Sequence, residues 1–299
     1  METGRVVVEK VGGKSTVTSC YSKYPLKFIV PNKVGNSKCD AVWIYSLTYG
    51  GGIVSGDSIS FKFNVGDGCN AVLTTQASTK VYKSMGSKCS EQVLEARVSG
   101  DALLAIIPDP VTCFSTARYT QKQVFKMVGD SSLLMVDWVT SGRHESGEKW
   151  DFDMYKSTNN IFIEDDEPLF LDTVLLEKGS ISSIAERMQG YQVIAMVVFW
   201  GPKMKHIQNK VQEDVRKIMT EQLQFSSPAS VHKRKRNPDY CINQPNFIAS
   251  SSVFGSEGKG VVVRIVAATT ESVYQFLRHQ LASLEPLLGV TKSPSSQLT

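Results

Sequence analysis

Gly56-Asp-Ser-Ile59-Ser-Phe61-Lys-Phe63-Asn-Val65-Gly-Asp67 decides the fold. Ile59, Phe61, Phe63 and Val65 alternate with Ser60, Lys62 and Asn64, so one face is apolar and the other polar, the period of a half-buried strand. A Gly-Asp pair stands at each end. Glycine reaches positive φ and aspartate bonds nearby backbone, so each pair is a turn signal. The same pair recurs at Gly100-Asp101 and Gly129-Asp130, again just ahead of apolar runs. Residues 42–49, 92–98, 124–128 and 133–139 are further strand-like runs rich in β-branched and aromatic residues. Strand, turn and strand at near-regular intervals predict stacked β-sheets, as a sandwich or a solenoid. The turn intervals are too uneven for a strict sequence repeat.

Past Gly179 the pattern changes. Residues 205–223 place Ile207, Val211, Val215 and Ile218 at helical spacing with charges between them, and residues 271–288 do the same through Val273, Phe276, Leu277 and Leu281. Strands are expected at 193–200, an eight-residue apolar run too short to cross a bilayer, and at 260–267. Residues 226–258 read as a polar surface loop carrying Lys233-Arg234-Lys235-Arg236. The expectation is one domain over residues 1–299, β-rich over 1–200, then helix, basic loop, strand and helix.

The chain of 299 residues can bury a substantial core. Its apolar content of 41% and charged content of 21% are those of a folded soluble protein, and a net charge of +4 does not by itself imply a nucleic-acid partner. The polar start, Met1-Glu-Thr-Gly-Arg5, predicts no secretory segment. Six dispersed cysteines without a CxxC pair read as mostly buried thiols of a cytoplasmic protein. The basic run fits either a solvated insertion or a nuclear-localisation patch that would add a nuclear pool.

Familiar motifs fail. Gly12-Gly-Lys-Ser15 lacks the glycine that a phosphate loop needs five positions before Gly13, where Val8 stands. Residues 50–56 lack the dinucleotide spacing and precede a strand, not a helix. Four scattered histidines support neither a zinc site nor a metal store.

What remains are four blocks: Gly50-Gly51-Gly52-Ile-Val-Ser-Gly-Asp57; Leu73-Thr74-Thr75-Gln76-Ala-Ser-Thr-Lys80-Val-Tyr82; residues 108–121, which include Arg118; and residues 137–150, which include Asp137, Arg143, His144, Glu145 and Glu148. Three glycines in a row cost strand stability, and close approach of another backbone or an open channel is one reason to keep them. Asp57 beside them reads as a plain turn residue or a functional one. Thr74 and Thr75 suit bonds to buried backbone or a wet passage. Arg118 meets an acidic partner or an internal carboxylate. The last block is either a hairpin with a charged, solvated tip over Trp138 and Trp150, or a set of acids for general acid–base chemistry. Arg143 either belongs to that set or pairs with Asp137 and holds the loop's shape.

In this order the blocks resemble the UreD family of urease accessory proteins, with Pro168-Leu-Phe-Leu-Asp172-Thr173 similar to that family's next segment. The likeness covers about residues 20–200, and its long basic segment suggests a eukaryotic, plant-like member. The resemblance implies a two-layer β-helical stack of short strands with about two α-helices in the C-terminal third. It implies no catalysis and no tightly bound cofactor. It also implies a scaffold that meets apo-urease with UreF-like and UreG-like partners and gives nickel a tunnel to the urease active site. By resemblance, Asp57 and Asp172 would touch nickel in transit, while Asp137 and Arg143 would lie along the tunnel. Spaced carboxylates bind nickel weakly and release it, whereas imidazole and thiolate would hold it. The competing reading is a cytosolic β-solenoid carbohydrate hydrolase or lyase using Asp137, Glu145 and Glu148.

Overall fold

The computed structural model describes residues 2–31, 39–164, 166–225 and 245–289. The expected basic run, Lys233 to Arg236, lies outside them.

The chain opens with β1 (Gly4–Val11), β2 (Lys14–Ser22) and β3 (Leu26–Ile29), then winds through four coils. The first is β4 (Val42–Thr48) and β5 (Ser58–Val65), and the second is β6 (Asn70–Thr75), short β7 (Thr79–Val81) and β8 (Ser90–Val98). The third is β9 (Leu103–Ile107), short β10 (Val111–Cys113) and β11 (Arg118–Met127), and the fourth is β12 (Ser132–Thr140) and β13 (Met154–Ile163). Within the coils β4, β6, β9 and β12 pair in parallel in one sheet, and β5, β8, β11 and β13 in the other. This is a β-solenoid of two facing sheets.

The β-stack continues in antiparallel fashion. β14 (Glu167–Glu177) folds back on β13, and the short α1 (Ile184–Met188) leads to β15 (Val193–Trp200) beside β12. After α2 (Lys205–Phe225) come β16 (Phe247–Phe254) and β17 (Gly260–Ala267), then α3 (Thr270–Leu281) and α4 (Glu285–Leu288). β17 lies between β15 and β16, which makes β16 an edge strand.

Two corrections to the sequence reading follow. The segment read as loop through residue 258 contains β16, whose serine-rich middle gave no strand signal but which hydrogen-bonds along the whole of β17. The last helix is not continuous to residue 288. It ends at Leu281, passes through a tight turn at Ala282–Leu284 and restarts as α4 with Pro286 in its first turn, where a missing N–H costs nothing.

Alternation fills the space between the sheets: Ile59, Phe61, Phe63 and Val65 of β5 face Val42, Ile44, Ala71 and Leu73 of the opposite sheet. A second core lies outside the sheet of β12 and β15, where Ile207, Val211 and Val215 of α2 and Val273, Phe276 and Leu277 of α3 cover it. No helix among the described residues is long and apolar enough to span a membrane.

The coils are asymmetric. On one side the sheets are joined by three short Gly-Asp turns, at Gly66-Asp67, Gly100-Asp101 and Gly129-Asp130, and these do stack despite their uneven sequence spacing; the fourth pair, Gly56-Asp57, lies on the other side. Asp67 Oδ1 accepts from the Gly100 amide at 2.9 Å, and Asp130 Oδ1 accepts from the Asp101 amide at 3.0 Å. On the other side the connections are long, and all four distinctive sequence blocks fall there.

Candidate functional site

The long connections build a platform of their own. Ile53 bridges Val81, β7 pairs with β10, and β10 pairs with the end of β12, so a narrow third strip runs down this side of the stack. The glycine triplet makes it possible. Gly50 and Gly51 take positive φ, at 77° and 74°. Gly52 is extended, but a Cβ there would sit 2.7 Å from the Lys80 carbonyl oxygen and 2.9 Å from the Tyr82 ring. The close backbone approach expected of the triplet is therefore present. Gly52→Ala is expected to lower unfolding free energy by about 1–3 kcal/mol through overpacking, read by urea denaturation.

Neighbouring blocks interlock. The Thr75 hydroxyl accepts from the Asp109 amide at 2.8 Å, and Thr74 donates to the Ile107 carbonyl at 2.6 Å. Gln76 and Lys80 expose their side chains. Arg118 is half-buried, and its guanidinium reaches Met154 Sδ at 3.8 Å with no carboxylate partner among the described residues.

Beneath the platform, in the half of the interior nearest it, lies a cavity of about 60 Å³, large enough to hold water. Sheet strands from all four coils contribute to its walls, through Ser46, Leu73, Thr74, Thr75, Gln92, Ile106, Gln121 and Asp137 among others. Among the described residues its only charged lining groups are Asp109 and Asp137, and neither histidine nor cysteine lines it.

Asp137 comes from β12, where every residue is buried because helices cover one face and the opposite sheet the other. Its carboxylate crosses to the facing sheet and accepts from Gln121 Nε2 at 2.6 Å, Ser157 Oγ at 2.5 Å and Asn159 Nδ2 at 2.7 Å. Burial pushes this carboxyl above the ordinary range, the three hydrogen bonds pull it back, and the nearby Asp172 charge pushes it up again. Asp109 is 4% exposed and is likewise raised by burial, against a hydrogen bond from Tyr274 Oη at 2.7 Å.

The structure brings together only part of the predicted set. Asp172 sits on β14 opposite Asn159 and so lies next to the Asp137 cluster. One of its oxygens binds Arg264 at 2.8 Å, and the other is buried without a hydrogen-bond partner among the described residues. Asp57 is elsewhere, in its turn, accepting from the Val54 amide at 2.9 Å. Arg143 does not pair with Asp137, because Asp137 points into the interior while Arg143 lies on the loop that follows. The guanidinium grips Glu148 through two bonds and lies over the Phe114 ring at 4.1 Å. That pairing also breaks up the hydrolase trio: Glu148 is held by Arg143, Glu145 sits on an exposed turn, and neither lines the cavity that holds Asp137.

Sequence reasoning missed Asp109, Gln121, Ser157 and Asn159. Gln121 and Ser157 are register partners on β11 and β13, and Asn159 lies two residues further on, an adjacency with no signature in chain spacing. His206 and His279 are surface residues, as expected. Of the cysteines, Cys69 and Cys113 are buried, Cys39 and Cys89 half-buried and Cys20 exposed; none of these five forms a disulfide. Among the described residues no cluster of three metal-binding side chains occurs.

The family model of the UreD urease accessory protein matches residues 2–297. The chain belongs to the UreD family. It is similar to urease accessory protein D of Arabidopsis thaliana, at 66% identity over 97% of this chain and 98% of the relative. Its counterpart in Oryza sativa subsp. japonica is 59% identical over 98% and 95% of the two chains. A bacterial UreD from Anaeromyxobacter is 34% identical over 96% and 86%. The UreD blocks recognised in the sequence are those that line one side of the solenoid here.

Proposed function

We propose that this UreD protein is a non-catalytic scaffold of urease maturation. It engages apo-urease together with UreF-like and UreG-like proteins and gives nickel a path toward the urease active site. The observation that carries this reading is the cavity between the sheets. Its two carboxylates, threonine hydroxyls and glutamine amides offer oxygen donors, and no soft ligand lines it to trap the ion. Nickel is cargo here, and no resident cofactor is invoked. Asp57, Asp172 and Arg143 belong to the proposal at a distance from the cavity wall, Asp172 as the neighbour of Asp137. The cytoplasm is the proposed location.

The test is a co-expression of the full chain with urease and its accessory proteins, comparing wild type with Asp137→Asn. The expected result is an intact accessory complex and a several-fold fall in nickel per urease active site. Unchanged nickel content with an intact complex would remove Asp137 from the path.

A further inference from the structure

Beyond Asp137 the polar groups run on, although the cavity does not: Asn159, Asp172 and Arg264 do not line it. Asp172 belongs to the inward face of β14, between Phe170 and Leu176, which pack into the core between the sheets. Arg264 belongs to the inward face of β17, two residues from the buried Val262 of the same core. Register places it in one row with Asp137. Asp137 pairs with Met196 across β12 and β15, and Met196 pairs with Arg264 across β15 and β17. From the facing sheet Asn159 donates to Asp137 at 2.7 Å and stands opposite Asp172. The bond from Arg264 Nη2 to Asp172 Oδ1, at 2.8 Å, then closes the gap between the two sheets.

Exposure rises along this series. Asp137 is buried, the Asp172 side chain is 13% exposed and that of Arg264 50%, and Ser250, opposite Arg264 on β16, is exposed. Polar groups therefore reach solvent where β14 ends one sheet and β17 and β16 end the other. An ion pair with a half-exposed arginine adds little stability. Structure alone is then a weak reason to set two charges on inward faces beside Phe170, Leu176, Met196 and Val262. Stability would also favour a two-pronged grip, which a guanidinium makes well, yet the bond here reaches one oxygen. The other Asp172 oxygen is buried with no hydrogen-bond partner among the described residues.

Charge accounts for the arrangement better. Asp172 is near enough to Asp137 for its charge to act on that carboxyl. Two neighbouring carboxylates without a counter-charge repel each other, and between them they hold a divalent cation tightly, since affinity rises with the charge of the ligands. An arginine fixed to one of them offsets that pull. We propose that Arg264 is a positioning residue for cation transit: it holds Asp172 beside the Asp137 cluster and supplies the counter-charge that lets a divalent ion leave at the β14–β17 end. This deepens the reading above and rests on it.

The test co-expresses the full chain with urease and its accessory proteins. It measures nickel per urease active site and, separately, nickel retained on the purified accessory complex. The variants are Arg264→Gln, Arg264→Lys and Arg264→Gln/Asp172→Asn. For Arg264→Gln the expected result is an intact complex, about fivefold more nickel retained on it, and a several-fold fall in nickel per urease site. Lysine keeps the charge, so Arg264→Lys brings both readings back toward wild type. Removing the Asp172 charge as well returns retention to the wild-type level. Wild-type retention and delivery in Arg264→Gln, with an intact complex, overturns the inference. Loss of the complex in either single variant does so too, since the pair would then be a structural tie. Retention that persists without the Asp172 charge overturns the link through that residue. The underlying reading fails separately: wild-type nickel delivery by Asp137→Asn removes the path itself, whereas impaired delivery there beside a wild-type Arg264→Gln removes only the role of Arg264.

Discussion

Asp137→Ala is expected to lower the free energy of unfolding by about 2–4 kcal/mol, measured by urea denaturation near neutral pH. The alanine would leave Gln121, Ser157 and Asn159 facing an empty space inside the stack, each without the carboxylate it now binds. Gln121 and Asn159 still donate to Ser157 Oγ, so the Ser157 hydroxyl is the donor left without its acceptor. Such a buried donor costs about 1–3 kcal/mol, the lost charge-assisted bonds and the void add to it, and relief from burying a charged carboxylate offsets part. A companion variant separates the two terms. Asp137→Asn keeps the shape and removes the charge. Because burial raises the native carboxyl above its unfolded value, the protonated form is the one the fold favours. Wild-type stability relative to Asp137→Asn is thus greatest below the ordinary carboxyl range. It declines as pH rises from that range through the raised native value. A gap that stays flat with pH would mean that Asp137 does not carry a raised pKa in the native state.

Trp138→Ala is expected to cost more, about 3–5 kcal/mol, as for other buried large aromatics. Trp138 is 2% exposed, donates from Nε1 to the Pro108 carbonyl at 2.9 Å and meets the Tyr274 ring edge-on at 4.8 Å. It thereby joins three elements: β12, the turn after β9, and α3. Tyr274 in turn donates to Asp109, so removal of the indole unseats both a helix and a cavity-lining carboxylate. Trp138→Phe restores most of the volume but not the hydrogen bond, and should recover more than half of the loss. Equal losses in the two variants would show that the bond to Pro108, not packing, holds α3 in place.

Much of this architecture is legible in the chain because coil strands announce themselves by alternation. β5 reads cleanly, since one of its faces meets water and the other the core. β15 reads by continuous hydrophobicity, since helices cover one face and the opposite sheet the other. That same double coverage hides the direction of Asp137. With all nine residues of β12 buried, alternation gives no clue to which of them look inward. β16 was invisible for the opposite reason: Ser250, Ser251 and Ser252 sit on an edge strand where solvent accepts polar side chains, and β17 supplies the pairing. The Arg143–Glu148 clamp depends on the left-handed Gly147 that reverses the loop between them. The Asp137 cluster depends on parallel register, which brings together residues 16 to 36 positions apart and leaves no local trace.

The Gly-Asp turns set the pitch of this spiral. Each passes from one sheet to the next within a few residues, and an aspartate from one level stitches onto an amide of an adjacent level. An added residue there would shift every rung above it by one and turn inward side chains outward. On the opposite flank the fixed points are the strip through Ile53, β7 and β10 and the close approach at Gly52, while the lengths between them already differ. New sequence can accumulate in the stretches between those ties without disturbing the column, and there a scaffold can change what it recognises while keeping its spine.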